Sequence, residues 1–274
     1  MVTAMTGDRA RSALRTTRFA DVRWVAETGS TNRDLLALAA AGGADGTVLV
    51  ADHQTAGRGR LDRTWQAPPG GSLLVSVLFR LGLAAGEAHL LTTAVGVSAV
   101  EACRAVVAVP AQLKWPNDVV VVGRAGVRKL GGILAETIVE GGALAAVVVG
   151  LGLNVVWPEA LPAELAQTAV ALNHLVGDGA VPDRETLLVG LLERLDHWTA
   201  RIIEVDGDGR AALMDRAREL SATLGREVRV DLGREVLEGR AVELGSGGEL
   251  VVSLASGERR TVLVGDVVHV RPPA

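Results

Sequence analysis

Tyrosine is absent from the 274 residues, and only two Phe and five Trp are present. A core built from this chain therefore rests on Val, Leu and Ala, and each Trp asks for a specific reason to be where it is. A single cysteine, Cys103, excludes an intramolecular disulfide and any Cys-based zinc site. It falls in the apolar-periodic stretch 94–107, where a small buried side chain is the plain reading, and a reducing cytoplasm fits. No apolar run is long enough to span a bilayer. The longest, Ala143–Val156, is too short and carries Asn154. Residues 1–18 hold Arg9, Arg11, Arg15 and Arg18 without a hydrophobic block, so they are no secretory signal, and a disordered tail is expected there. Positive charge is also short: the formal net charge is −4, which gives the molecule no overall attraction to nucleic acid or acidic membranes. No nucleic-acid or membrane partner is expected, and any bound anion must be met by a local cluster.

What is there is the composition of a soluble globular protein, 49% apolar and 22% charged. The length suits one large domain and a small one. Phe19–Glu27 reads as a strand, Thr31 with Asp34 as a helix start, and Thr47–Ala51 as a short strand. A Gly- and Arg-rich loop runs from His53 to Gly71. Leu73–Leu81 reads as a strand and Glu87–Val107 as a long apolar helix. Gln112–Trp115, Val119–Val122, Lys129–Thr137 and Ala143–Gly150 read as strands, and Pro182–Val205 and Arg210–Leu220 as helices. From Ala222 the texture changes to short β runs (Glu227–Asp231, Val236–Glu243, Leu250–Leu254, Arg260–Val264, Val267–Val270) between Gly-containing turns, which suggests a small barrel. The expected organisation is a tail over 1–18, an α+β domain with a mixed sheet over 19–221 and a β-barrel over 222–274.

Four segments carry chemistry. In His53–Trp65, three arginines within six residues alternate with glycines: glycine lets backbone approach a ligand, and arginine offers a planar fork for phosphate or carboxylate. A flexible solvated loop has the same composition. Lys114-Trp115-Pro116-Asn117-Asp118 places a proline-stopped turn at a strand end, where Asn117 and Asp118 are held rigidly, although an ordinary Asn-Asp turn reads the same way. Lys129-Leu130-Gly131-Gly132-Ile133-Leu134 puts a lysine before two glycines in a strand-like run. Gly150-Leu151-Gly152-Leu153-Asn154 lacks the third glycine and helix start of a dinucleotide fingerprint and reads as a glycine-lined wall ending in an amide.

Taken in order, Gly29-Ser30-Thr31-Asn32, Gln54-Thr55-Ala56-Gly57-Arg58-Gly59-Arg60 with Trp65, Lys114–Asp118, Lys129–Leu134 and Gly150–Asn154 resemble the biotin protein ligases. The resemblance runs from Trp24 to Asn154 and is taken up weakly by the barrel, through Gly265-Asp266-Val267-Val268-His269-Val270-Arg271. It implies a class II aminoacyl-tRNA-synthetase-like catalytic domain with flanking helices and an SH3-like barrel. It also implies a cytoplasmic ligase that forms biotinyl-5'-AMP from biotin and ATP, with Mg²⁺ accompanying the nucleotide and no metal site of its own. The biotin then passes to a lysine on the biotin carboxyl carrier domain of acyl-CoA or pyruvate carboxylases.

The resemblance assigns roles that physical chemistry can rationalise. Ser30, Thr31 and Gln54 suit the ureido group of biotin, with Asn32 bracing their turn. Gly57, Arg58, Gly59 and Arg60 would fold over the ligand, the arginines and Lys129 facing carboxylate or phosphate oxygens as the catalytic cations. Gly132, Leu134, Gly150 and Gly152 would wall the thiophane ring and valeryl chain. Trp65 would stack on adenine, with Asn117 and Asn154 on the base edge and Lys114 and Asp118 beside them. For Ser30 and Thr31, helix capping is the alternative; for Trp65, a core position. Asp62 departs from the family, which commonly has Gly there, and leaves Arg63 without a clear role. The roughly twenty residues before the pattern are expected to leave no room for the winged-helix domain of family members that double as repressors. A lipoate ligase would lack the arginine loop and the Lys-Trp-Pro-Asn-Asp turn, and an RNA-binding module would show a basic surface.

Overall fold

The structure, a computed structural model, describes residues 7–124, 126–141, 143–159, 161, 163–176, 181, 183–204, 207–263 and 265–269. The carboxy-terminal ends of two expected strands, Val264 and Val270, together with Arg271, lie outside these residues, as do both expected ends of the Pro182–Val205 helix.

Residues 7–18 are not a tail. Asp8–Ala13 forms helix α1, with Ala10 and Leu14 fully buried. Its first turn is held from far along the chain: the carboxylate of Glu185 accepts from the Ala10 backbone N–H at 2.9 Å and from Arg9 Nε at 3.1 Å, while Arg9 also pairs with Asp183 at 2.6 Å. A carboxylate on the free N–H groups of a first helical turn stabilises a helix too short to stand alone.

The chain continues as β1 (Val22–Thr28), α2 (Thr31–Ala40), β2 (Val48–Gln54), β3 (Ser72–Phe79), α3 (Ala88–Val107), β4 (Ala111–Lys114), β5 (Asp118–Gly123), β6 (Gly126–Glu140), β7 (Ala143–Asn154), α4 (Ala163–Thr168), α5 (Arg184–Ile202) and α6 (Asp208–Glu219). Seven strands make one sheet in the order β1-β2-β3-β7-β6-β5-β4, with β1 and β2 parallel and the other pairs antiparallel. Phe19, expected in the first strand, precedes it and packs edge-on against Phe79, with 6.1 Å between ring centroids. The short helix α4 carries no apolar periodicity strong enough to be read from the sequence.

Strand alternation decides the rest. Leu73, Val75, Val77 and Phe79 of β3 and Val147, Val149, Leu151 and Leu153 of β7 face α3, α5 and α6 and form the main core. The helix containing Ala85–Val107 is long and apolar enough to cross a membrane, yet it is packed inside this core, with Cys103 fully buried on it. Burial pushes the Cys103 thiol up to about 12. On the other face α2 covers only part of the sheet, through Leu35 and Ala39 on Leu49, Leu78, Ala146 and Val148. Beyond that patch Gly132, Leu134, Gly150 and Gly152 are left as a floor.

Strands β8 (Glu227–Asp231), β9 (Val236–Leu244), β10 (Leu250–Leu254), β11 (Arg259–Val262) and β12 (Asp266–His269) form an antiparallel five-stranded sheet, in the order β11-β10-β9-β8-β12, around a core of their own. Trp115, expected as the last residue of a strand, leaves β4 and is buried in that second core. Its indole donates to Gly248 O at 2.9 Å and its backbone N–H to Thr223 Oγ1 at 3.0 Å, while β4 itself is tied to the segment entering the barrel by Leu113 N to Leu220 O (2.8 Å) and Ala222 N to Leu113 O (2.6 Å). The barrel is therefore bolted to the turn that follows Trp115. Trp115→Ala should destabilise the protein by about 3–5 kcal/mol. Trp115→Phe, which keeps most of the bulk and loses one hydrogen bond, should cost about 1 kcal/mol more than a volume-neutral change. Denaturant titrations of both variants check this ranking.

Candidate active site

The site begins where α2 starts. Ser30 is the helix N-cap residue, but its side chain makes no capping bond, so the capping alternative does not account for it. Thr31 is turned to β2 instead: its backbone N–H donates to Gln54 Oε1 at 2.9 Å and its hydroxyl lies 3.1 Å from the same oxygen. Ser76 of β3, which the sequence reading missed, places its hydroxyl 2.7 Å from Thr31 Oγ1 and 2.6 Å from Asn32 Oδ1. Asn32 Nδ2 donates to Leu134 O (3.1 Å) and Glu136 Oε2 (2.9 Å) of β6. A serine inside a strand that is otherwise apolar and buried throughout gives no sequence signal of a place at a site.

Gly150 is required by this network, because a Cβ there would lie 2.2 Å from Asn32 Oδ1. Gly132 and Gly152 are a registered pair across β6 and β7. Trp65 lies on them, and a Cβ would meet its ring at 3.1 Å from Gly132 and 2.5 Å from Gly152. The slot bordered by Ser30, Thr31, Gln54, Leu134, Gly150 and Trp65 has a volume of about 30 Å³, and the Trp65 ring lies on its glycine floor. A bicyclic ligand enters it only if Trp65 lifts.

The arginine loop that carries Trp65 is a hairpin. Arg58 and Thr64 form an antiparallel bridge, Trp65 N–H donates to Gly57 O at 3.0 Å, and Gly59 N–H donates to Arg63 O at 2.7 Å. Its tip is Arg60-Leu61-Asp62-Arg63, closed by Arg63 N to Arg60 O at 3.2 Å, with φ of 53° at Leu61 and 55° at Asp62. Two successive left-handed residues are the signature of a type I′ turn, whose second position favours Gly and tolerates Asp. Asp62 thus stands where the backbone would prefer glycine.

Beyond Trp65 the slot opens into a cavity of about 320 Å³ between the larger unit and the barrel, bordered by Arg58, Arg60, Arg63, Lys114, Asp118, Lys129 and, from β12, Val267 and Val268. Arg58, Arg60, Lys114 and Lys129 are each held by an acceptor. Arg58 Nη1 meets Glu136 Oε1 at 2.8 Å, Arg60 Nη1 donates to Asn117 Oδ1 at 3.0 Å, and Lys129 Nζ lies 2.6 Å from Asp118 Oδ1. Lys114 Nζ is 3.8 Å from Asp118 Oδ2, and Lys129 also stands 5.5 Å over the Trp65 ring. Asn117 and Asn154 do not offer the free amides expected of them. Asn117 is engaged at both ends, with Nδ2 on Ile133 O at 2.7 Å. Asn154 is buried and borders neither the slot nor the cavity. Its Nδ2 donates to Val170 O at 3.1 Å, bracing a segment that bonds back to Lys129 O, while its Oδ1 has no partner. Among the described residues, no three His, Cys, Asp or Glu side chains converge as a metal site would require.

The slot and the chamber are built from the segments through which the sequence resembles the biotin protein ligases. Residues 25–154 match the biotin/lipoate A/B protein ligase family and residues 223–270 match the biotin protein ligase C terminal domain. The biotin–[acetyl-CoA-carboxylase] ligase of Mycobacterium tuberculosis (strain ATCC 25618 / H37Rv) is 41% identical over 256 residues, covering 90% of this chain and 88% of that protein. The chain belongs to the biotin protein ligase family. The biotin protein ligase from Aquifex aeolicus in complex with biotin and ATP superposes with a TM-score of 0.75 at 28% identity, covering 93% of this chain and all of that one. The bifunctional ligase/repressor of Bacillus subtilis (strain 168) is 33% identical over 150 residues, 54% of this chain and 45% of that longer relative.

For a biotin protein ligase, the hairpin geometry at Leu61 and Asp62 makes a testable statement about the cover of the slot. Leu61 is exposed and gains nothing from packing, while a left-handed L-residue costs roughly 1–2 kcal/mol. After the extra chain entropy of glycine, Leu61→Gly should stabilise the closed hairpin by about 0.5–1 kcal/mol. Slower hydrogen exchange at the Gly59 and Arg63 amides is the expected result.

Proposed function

We propose that the chain is a biotin–[biotin carboxyl-carrier protein] ligase. It would form biotinyl-5'-AMP from biotin and ATP and pass the biotin to a carrier lysine. The observation that carries this reading is the continuity of slot and chamber past Trp65: one glycine-floored and uncharged except for Arg58 at its border, the other lined by several cations. Biotin has the same division, an apolar bicycle with a ureido end and a carboxylate at the far end of its chain.

Thr31 and Gln54 supply the donors and acceptors for the ureido group, with Ser30 at the slot wall and Ser76 bracing Thr31 and Asn32 from β3. Gly150, Gly152, Gly132 and Leu134 supply the close floor. The carboxylate then emerges beside Arg58, Arg60 and Lys129. Its attack on the α-phosphorus of ATP brings two anions together, so the barrier is positional and electrostatic, and fixed cations at that point lower it. Mg²⁺ would arrive on the nucleotide phosphates. Trp65 offers an aromatic face at the chamber entrance for the adenine.

In the second half-reaction the amine of the carrier lysine attacks the mixed anhydride and AMP leaves, so no nucleophile of the enzyme is needed. Among the described residues, Asp118 is the one carboxylate bordering the chamber and the group placed to attract an incoming ammonium. The barrel forms the opposite wall through Val267 and Val268, which supports an approach of the carrier along that side. On this reading the acceptors are carrier domains of acyl-CoA or pyruvate carboxylases and the compartment is the cytoplasm. The division between catalytic unit and barrel falls at residues 221 and 222.

Lys129→Ala removes one of the fixed cations, and also frees Asp118 to repel the phosphates. Biotin-dependent pyrophosphate exchange should fall at least ~100-fold in a folded protein, with biotin binding to the slot largely retained. Isotope exchange paired with calorimetric biotin titration checks it. Exchange near the parent rate would remove Lys129 from the chemistry.

A further inference from the structure

Of the 28 lysine and arginine residues in the chain only two are lysine, Lys114 and Lys129. Both border the chamber, and both use the same carboxylate. Asp118 opens β5, the strand between β4 and β6, and is registered across the intervening turn with Lys114, the last residue of β4. Its Oδ2 lies 3.8 Å from Lys114 Nζ, and its Oδ1 lies 2.6 Å from Lys129 Nζ, which reaches over from β6. The carboxylate is mostly buried. Everywhere else the basic side chains are arginines, whose guanidinium stays charged and offers no amine to an acyl donor.

On the biotin-ligase reading, on which this proposal rests, that distribution has a chemical consequence. Biotinyl-adenylate is a mixed anhydride and acylates a free amine. The attacking nitrogen forms the amide bond, the anhydride C–O bond breaks, AMP leaves with the electron pair and an amine proton passes to water. An ammonium has no lone pair and does not react. Amines crowded by other cations give up a proton more readily, and Arg58, Arg60 and Arg63 border the chamber beside the two lysines. The enzyme's own amines thus stand in the compartment where the anhydride forms. Among the described residues one carboxylate bordering the chamber opposes their loss of a proton. We propose that Asp118 protects the enzyme from its own intermediate: it holds Lys114 and Lys129 as ammonium ions, so that the carrier lysine is the amine that is acylated. A carrier lysine drawn into the chamber meets a carboxylate already shared by two ammonium groups, and so is attracted without being locked.

The parent protein, incubated with biotin, ATP and Mg²⁺ but no carrier, should keep both lysines free of biotin by mass spectrometry and peptide mapping. Asp118→Asn, which keeps the shape and removes the charge, should label itself about 10-fold or more faster, with the biotin in amide linkage at Lys114 or Lys129. Asp118→Glu, which restores the charge on a longer arm, should bring labelling back towards the parent. Adding Lys114→Arg and Lys129→Arg to Asp118→Asn leaves the chain without lysine and should remove the label. Chemically prepared biotinyl-adenylate, supplied in place of biotin and ATP, should give the same ranking in variants that make adenylate slowly. Asp118→Ser repeats the loss of charge with a smaller side chain, should Asp118→Asn fail to fold. A purely structural role for Asp118 would lower the unfolding midpoint without creating an amide at either lysine. Lysine labelling of Asp118→Asn and Asp118→Ser at the parent's rate would overturn the proposal, as would labelling of both lysines in the parent. Absence of biotin-dependent pyrophosphate exchange in the parent would instead overturn the ligase reading, while the supplied adenylate still judges Asp118.

Discussion

The contact between the Trp65 indole and the bare backbone of Gly132 and Gly152 is the constraint on which the site is built. A flat ring can lie on a β-sheet only where two paired residues lack Cβ atoms, and β6 and β7 supply that pair in register. The same need explains why two glycines are tolerated in the middle of strands that the rest of the sheet fills with Val and Leu. Isolated glycines would weaken the ladder to no purpose. The ring replaces the packing they give up, and the sheet becomes a floor that a thin ligand can share with it. The indole N–H is buried without a partner in this position, so the closed contact is not the lowest-energy place for Trp65 in every respect. An unsatisfied buried donor of this kind costs on the order of 1–3 kcal/mol, which favours a cover that can be lifted.

Charge sets the second condition. The chamber gathers Arg58, Arg60, Arg63, Lys114 and Lys129 in a protein whose net charge is −4, and like charges gathered round one space repel. The fold meets this repulsion locally. Asp118 stands between the two lysines, Glu136 holds Arg58, and the Asn117 carbonyl takes Arg60. These partners keep the cations aimed at one space rather than splayed into water. A triphosphate brings more negative charge than the two protein carboxylates, so exchange of partners is favourable, and the cations need little rearrangement when it happens.

The parts of this arrangement that were legible in the sequence are those written in contiguous residues. The arginine hairpin, the Lys-Trp-Pro-Asn-Asp turn and the glycine pairs each break a local rule, and broken local rules point to ligands. What depends on distant partners was not legible. Helix α1 looked like a tail because its stabilising carboxylate, Glu185, is 175 residues from the backbone N–H it receives. Ser76 and Glu136 are single polar residues in strands, indistinguishable from solvent-facing positions until β3, β6 and α2 are stacked. Trp115 read as the end of a strand because nothing local says that it leaves β4 for another core. Asn117 shows the opposite error: an amide in a motif attracts a ligand role, while the structure uses both of its ends to brace Arg60 and β6.

Trp115 also decides how the two units act together. The slot floor is anchored in the large core through the alternate residues of β3 and β7, and would keep its shape without the barrel. The turn bearing Asn117 and Asp118 is anchored differently, through a side chain buried among Val228, Val230, Leu250 and Val262 of the second unit. The slot and the chamber therefore draw their rigidity from separate cores. A molecule lying in both, as an acyl-adenylate would, spans the joint and ties the cores to each other. Free biotin, seated in the slot alone, does not. Any affinity gained on adenylation would thus include the stiffening of the joint as well as the added phosphate contacts, at the moment when a reactive anhydride has to be kept from water until the carrier arrives.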